Sequence, residues 1–307
     1  MSGRPNGPPC VVVAHDDAYA PHAAVTLLSV LEHTPDARLF TLVPSDFRQA
    51  AALQGTVGSA LSIIRTDPAR FADLSVWEGG SVAAYLRLAM GDALDAPRVI
   101  YLDSDVVVRT DLGPLWATAL NGFVLGAVPD VSFAHRERLG FEPDEPYFNT
   151  GVAVIDLERW RADRVAERTI LWAQANPERL SWADQCALNG AVRAGWHTLH
   201  PGWNMQAAQF GRQTRLGFRF DSHRTGNPPI LHFTQPPAHG PYSDDDGKPW
   251  RYRCEHPWRD AYRQIAARTA WRERPMPDRY PHNIIRRGLR RHAGWALPLY
   301  HALRRVI

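Results

Sequence analysis

The chain has 307 residues, 45% of them hydrophobic and 22% charged, with a formal net charge of +3. Such a composition supports one large core, or one core plus an elaborated lobe, and argues against a disordered chain. Three scattered cysteines exclude a disulfide framework or a CxxC zinc site, and the six arginines of 286–307, with no acid among them, place the basic character in the tail, which argues against nucleic acid as a partner of the body.

In chain order, "CVVVAHDD" (10–17) is an apolar strand running into two acids. "PHAAVTLLSVLEHT" (21–34) has helical spacing, and "RLFTLV" (38–43) and "LSIIRT" (61–66) are strands. "SVAAYLRLAMGDAL" (81–94) predicts a helix with Ser81 as its cap. "RVIYLDSDVVVRT" (98–110), "FVLGAVPD" (123–130) and "TGVAVIDL" (150–157) are strands. "LERWRADRVAERTILWAQAN" (157–176) predicts one amphipathic helix and "WADQCALNGAVRAG" (182–195) a shorter one. "WHTLHP" (196–201) and "PILHFTQPP" (229–237) are late strands, and 202–227 is expected to be loop-rich. "GPYSDDDGK" (240–248) is an acidic excursion, and a basic tail follows Pro275.

This order is an α/β pattern with a mainly parallel sheet. Ligands in such sheets sit beyond the carboxyl ends of the strands, where Asp16–Asp17 and Asp103–Asp105 both fall. The glycine-rich fingerprints of common nucleotide sites are absent. No apolar run has the length of a membrane span, and "MSGRPNGPPC" has no signal-like apolar stretch, so a cytoplasmic location is expected.

In an extended segment Asp103 and Asp105 project to one side, and Ser104 to the other. Two readings stand on these residues alone: a solvated turn, or two carboxylates sharing a divalent cation. His232, late in the apolar "ILHFT", is either a core histidine or a third ligand. As a ligand it would shift the site from Mg²⁺ toward Mn²⁺. Lys248 is the only lysine in the chain.

Six blocks in order resemble glycosyltransferase family 8, the retaining enzymes that include bacterial lipopolysaccharide galactosyl- and glucosyltransferases and glycogenin. They are "VVVAHDDAYAPHAAVTLLSVLEHTP", "AAYLRLAMGDAL", "VIYLDSDVVVRTDLGPLW", "YFNTGVAVIDLERWR", "WADQCALNG" and "ILHFTQPP…KPW". The resemblance implies a GT-A fold, a Rossmann-like nucleotide-binding domain with a mixed central sheet. It would cover 10–275, after a flexible N-terminus at 1–9 and before a basic helical tail at 276–307. It implies a UDP-sugar donor of glucose or galactose type. The acceptor would be a hydroxyl of a cell-envelope glycolipid or polysaccharide, or of a small secondary metabolite.

Carried over onto this chain, the resemblance makes Asp103, Asp105 and His232 the ligands of Mn²⁺, with Mg²⁺ as the alternative ion. Ala14, Asp16, Asp17 and Tyr19 would line the uracil and ribose pocket, with Ser104 at the donor. Arg87 would reach the donor sugar or the diphosphate, Asn149, Thr150 and Gly151 would sit against the donor sugar, Asp184 and Gln185 would hold its hydroxyls, and Lys248 would bind the diphosphate. Gln185, with Asp184 and Arg87, would be catalytic. An amide is a poor nucleophile, so front-face transfer is expected: the departing phosphate takes the acceptor's proton and Gln185 stabilises the cation. His15, Ala18 and Gln235 depart from the family pattern, and Ala238–Asp246 stands as an insertion expected to form a lid.

Two rival classes remain: a nucleotidyltransferase, whose N-terminal glycine-rich basic loop is missing here, and a non-catalytic sugar-nucleotide-binding protein. The tail, "NIIRRGLRRHAGWALPLYHALRRVI", reads either as a basic amphipathic segment contacting anionic membrane or as a helix docked on the body.

Overall fold

The computed structural model describes residues 7–76, 81–132, 136–142, 144–193, 195–214, 217–224, 226–235, 247–251, 254 and 256–274, with 289, 294–296 and 298–299 of the tail. The expected lid at Ala238–Asp246, the first six residues and most of the tail lie outside these.

The strands are β1 (Cys10–Ala14), β2 (Arg38–Pro44), β3 (Leu61–Thr66), β4 (Arg98–Leu102), β5 (Val106–Val108), β6 (Leu125–Pro129), β7 (Phe148–Asp156), β8 (His197–Thr198), β9 (Met205–Gln206), β10 (Gly211–Thr214), β11 (Gly217–Phe220) and β12 (Ile230–His232). The helices are α1 (Ala20–His33), α2 (Ala50–Val57), α3 (Met90–Ala93), α4 (Gly113–Trp116), α5 (Leu157–Ala162), α6 (Val165–Ala175), α7 (Ala183–Val192) and α8 (Arg259–Ala266).

Seven strands form a sheet of order β3-β2-β1-β4-β7-β6-β8. It is mixed: β7 runs antiparallel to both β4 and β6, and the other pairings are parallel. Val11, Val12 and Val13 of β1 are wholly buried, as the run of consecutive apolar residues requires of a strand covered on both faces. Each such side chain contributes roughly 1.5–3 kcal/mol of burial, so the sheet centre is the stable platform for whatever hangs from its ends.

Register then places the acids. Val13 pairs with Leu102, which sets Ala14 level with Asp103 where β1 and β4 end together. The Asp103 N–H donates to the Gly151 carbonyl (2.8 Å), so β7 delivers Asn149–Gly151 to the same edge. Asp103–Asp105 is not one extended segment. The chain turns at Ser104–Asp105, leaves the main sheet and enters a second one of order β5-β12-β9. There Val106 pairs with His232, and the Phe233 N–H donates to the Asp105 carbonyl (3.0 Å). The two acids converge because of this turn, not because of strand alternation. The small sheet is backed by its own apolar cluster, with Val107, Leu231, Phe233 and Val25 of α1 against Tyr262 and Ile265 of α8.

Three expectations about elements are corrected. The segment 82–89 winds as a 3₁₀ helix and becomes α-helical only over α3. Most of its side chains are buried, so packing overrides its α-like periodicity. The long helix expected at 157–176 is two, α5 and α6, broken at Arg164, whose φ of 49° is left-handed. The break lets α5 seat Trp160 while α6 turns to pack on α7. The expected loop at 202–227 instead contains β9 and the antiparallel β10–β11 hairpin. Their short strands lie below the length at which periodicity is readable.

Candidate active site

Asp103, Asp105 and His232 each offer a ligand atom within 4.8 Å of the others. Nε2 of His232 lies 3.2 Å from Asp105 Oδ1 and 3.7 Å from Asp103 Oδ2. Cis ligands of an ion with bonds of about 2 Å sit about 3 Å apart, so two carboxylate oxygens and one imidazole nitrogen fit a small divalent cation.

The other oxygen of each acid faces a basic side chain. Arg87 Nη2 donates to Asp103 Oδ1 (2.7 Å), and the Lys248 ammonium pairs with Asp105 Oδ2. The Tyr101 hydroxyl also donates to Asp103 Oδ1 (3.1 Å). Burial would raise the Asp105 carboxyl, but Lys248 and His232 hold it well below the usual carboxylate range. Burial would likewise lower Lys248, and Asp105 more than offsets that.

Arg87, on the 3₁₀ segment, is buried and stacks over Tyr101 with its guanidinium 4.3 Å from the ring centre. Its Nη1 donates to the Thr150 carbonyl (3.0 Å). Nε lies 2.8 Å from Asp184 Oδ2, yet its hydrogen points at the Ala84 carbonyl (3.3 Å). The Asp184 contact is therefore an ion pair without a hydrogen bond, and Asp184 Oδ2 is buried with no hydrogen-bond donor among the described residues. Burial disfavours the charged arginine, but the Asp103 and Asp184 carboxylates reverse this and raise its pKa.

Burial pushes the Asp184 carboxyl from its ordinary 3.8 up to about 6, opposed by Arg87 and reinforced by Asp103. The folded chain thus keeps a proton that the unfolded chain releases between pH about 4 and 6. Ionised Asp184 costs stability that grows across this window and is complete above it. Relative to wild type, Asp184→Asn should therefore be more stable at pH 7.5 than at pH 4.5, by about 2 kcal/mol. Denaturant midpoints of both proteins at the two pH values check this; a variant-to-wild-type difference that does not move with pH contradicts it.

Gln185, at the start of α7, accepts from the Thr150 N–H (3.1 Å) and hydroxyl (3.3 Å) through Oε1. Its Nε2 donates to Asp130 Oδ2 (3.0 Å), which also accepts from Asn149 Nδ2 (3.1 Å). Asp130 Oδ1 accepts from the N–H and hydroxyl of Ser132 (2.8 and 2.7 Å). Asn204 Nδ2 donates to Asn149 Oδ1 (2.8 Å), and its own Oδ1 lies 2.8 Å from His232 Nδ1. Asp130 and Asn204 were missed by sequence reasoning. Asp130 had a signal, since "GAVPD" is another apolar strand ending in an acid. Asn204 had none.

The structure thus joins Arg87, Asp103, Asp105, Asn149, Thr150, Gly151, Asp184, Gln185, His232 and Lys248 into one network. Ser104 is buried in the turn. Ala14 ends β1 level with Asp103. Tyr19 is exposed and meets Trp250 and His22 edge-on, with ring centres 6.2 and 5.4 Å away. Asp16 Oδ1 accepts from the Tyr19 N–H (3.1 Å) at the start of α1. Asp17 does not join the network: its carboxylate accepts from the N–H groups of Arg48 and Gln49 and from Arg48 Nε. His15 is buried, burial pushes it down to about 4, and its Nε2 has no hydrogen-bond partner among the described residues.

Residues 10–254 match the profile of glycosyl transferase family 8. General stress protein A of Bacillus subtilis is 27% identical over 278 residues, covering 85% of this chain and 94% of that protein. The glycosyltransferase GlyF of Streptococcus pneumoniae is 27% identical over 63% of this chain, which spans 48% of GlyF. The crystal structure of the galactosyltransferase LgtC with donor and acceptor sugar analogues superposes with a TM-score of 0.71. It is 27% identical and covers 86% of this chain and 99% of LgtC. An active-site glutamine-to-glutamate mutant of LgtC gives 0.72. With the mixed seven-stranded sheet these matches establish a GT-A-like fold, and the chain belongs to glycosyltransferase family 8.

Proposed function

We propose that this glycosyltransferase moves a hexose from a UDP-sugar to an acceptor hydroxyl with retention at the anomeric carbon, using Mn²⁺. The observation that carries this reading is the convergence of Asp103 Oδ2, Asp105 Oδ1 and His232 Nε2 at the end of the sheet, with Lys248 alongside. A divalent ion there would act as a Lewis acid for the charge that builds on the leaving diphosphate. Lys248 would add a second positive charge, moving from Asp105 to the diphosphate. Tyr19 and Asp16 would hold the uridine. Asp184 and Gln185 would hold hydroxyls of the donor sugar.

The carboxylates around Gln185 favour front-face transfer over a covalent intermediate. Asp130 accepts four hydrogen bonds, and Asp184 is ion-paired with Arg87. Neither is placed as a nucleophile, and the Gln185 amide is a weak one. The acceptor's proton would pass to the departing phosphate, and Gln185 Oε1 would face the developing positive charge. A panel of nucleotide sugars incubated with the protein and Mn²⁺ tests the reading through slow donor hydrolysis. UDP-hexose turnover supports it; no turnover of any UDP-sugar, with the protein folded and Mn²⁺ bound, counts against it.

The acceptor we infer is a cell-envelope glycolipid or polysaccharide reached by a protein resting on the inner membrane face. No described helix is long and apolar enough to cross a membrane. In the tail, Trp295 is 84% and Leu299 63% exposed, and the sequence around them carries arginine pairs at 286–287, 290–291 and 304–305, a composition that suits interfacial anchoring. Truncation after Arg279 should abolish co-sedimentation with anionic vesicles; binding unchanged by the truncation removes the tail from the account.

A further inference from the structure

The hydrogen bonds behind His232 have a direction that can be deduced from their two ends. A carboxylate only accepts, so Asp130 Oδ2 must receive a proton from the amide nitrogen of Asn149 (3.1 Å). A backbone N–H only donates, so the Gly151 N–H must point at the amide oxygen of Asn149 (2.9 Å). Both ends require the same orientation of Asn149. Its oxygen then needs a donor on its other side, so the group 2.8 Å away on Asn204 is the NH₂. The oxygen of Asn204 is left facing Nδ1 of His232 at 2.8 Å. An amide oxygen cannot donate, so Nδ1 carries the hydrogen. The neutral imidazole, the form that ligates a metal, has only one hydrogen, so in that form Nε2 is bare where it faces Asp103 and Asp105.

We propose that Asn204 is a positioning residue, which holds neutral His232 as the Nδ1–H tautomer and so aims a lone pair from Nε2 at the centre between Asp103 and Asp105. The proposal rests on the metal role assigned above to those three residues. Asn204 is wholly buried, and Asp130, Asn149 and His232 are nearly so, which shields this bond from bulk solvent. The relay also has a second branch. Asp130 Oδ2 accepts from Gln185 Nε2 (3.0 Å), and the Thr150 N–H fixes Gln185 Oε1 (3.1 Å). The carboxylate of Asp130 therefore anchors the orientation of both the histidine ligand and the glutamine at the sugar-facing side. An outer partner that orients a ligating histidine typically contributes about 10–100-fold to metal affinity.

The test uses the full chain, metal-free, with ¹⁵N-labelled histidine, in a pH series whose ¹⁵N shifts themselves identify the neutral form of residue 232. Long-range ¹H–¹⁵N correlation reads the tautomer, and the signal missing from His232→Ala assigns residue 232. The expected result is a proton on Nδ1 in the wild type and in Asn204→Asp, which keeps an acceptor facing Nδ1. Asn204→Leu should shift toward Nε2–H, and its Mn²⁺ affinity, read by electron paramagnetic resonance titration, should fall about 10–100-fold. A neutral wild-type His232 with its proton on Nε2 and none on Nδ1 overturns the proposal, whether or not any variant folds. So does a folded Asn204→Leu with unchanged tautomer and affinity. A wild type with Nδ1–H that binds no Mn²⁺ supports the tautomer assignment and overturns the metal role instead.

Discussion

Asp103→Asn should abolish Mn²⁺-dependent transfer while leaving the protein folded. The two oxygens of Asp103 have separate tasks. Oδ1 holds Arg87 and Tyr101, and Oδ2 faces the centre shared with His232. Asparagine can keep an oxygen toward Arg87, but its NH₂ then faces the centre and cannot ligate a cation. Arg87 retains the carboxylate of Asp184 and the carbonyl of Thr150, so no buried charge is left bare. The expected stability loss is therefore modest, about 1–3 kcal/mol. Loss of the ion's electrostatic stabilisation should lower the transfer rate about 10³-fold, equivalent to about 4 kcal/mol in the barrier. Steady-state transfer assays with a thermal melt as control measure both effects; full activity in a folded variant would remove Asp103 from the metal site.

Gly151→Ala should disable the same centre from the opposite side. A Cβ at this position would sit 2.0 Å from His232 Cε1, 2.6 Å from its Nδ1 and 2.9 Å from Asp103 Oδ2. The glycine is needed because the imidazole occupies the space a side chain would fill. His232 cannot swing away freely: Asn204 holds Nδ1, and β5 and β9 hold its backbone on either side. The alanine should cost about 1–3 kcal/mol of stability by overpacking. Displacing Nε2 should weaken Mn²⁺ binding by at least about 10–100-fold. Calorimetric titration with Mn²⁺ reads the second effect directly, and wild-type affinity in the alanine variant would show that His232 does not need its present position.

Much of this centre was legible because charge in an apolar setting is conspicuous. Asp103 and Asp105 interrupt a run of Val, Ile and Leu, Arg87 sits on an apolar helix-like segment, and Lys248 is a lone lysine among arginines. A buried charge requires a partner, so each could be marked before its partner was known. The route by which the acids meet was not legible. Strand alternation gave the right outcome for a wrong reason, since the chain turns at Ser104–Asp105 and changes sheet. Arg164 gave no warning that it would adopt a left-handed conformation and split a regular amphipathic pattern. Asn204 was the least legible residue of all. It is neutral and ends a short 3₁₀ turn at Pro201–Asn204, and its partners Asn149 and His232 are 55 and 28 positions away in the chain. Its importance comes only from those distant contacts.

The most direct measurement is anomalous diffraction at the manganese edge from crystals grown with Mn²⁺ and UDP. One peak is expected within about 2–2.5 Å of Asp103 Oδ2, Asp105 Oδ1 and His232 Nε2, with Lys248 moved off Asp105 toward the diphosphate. A peak bound to UDP but distant from His232, or UDP bound with no peak while Lys248 stays on Asp105, would contradict this expectation.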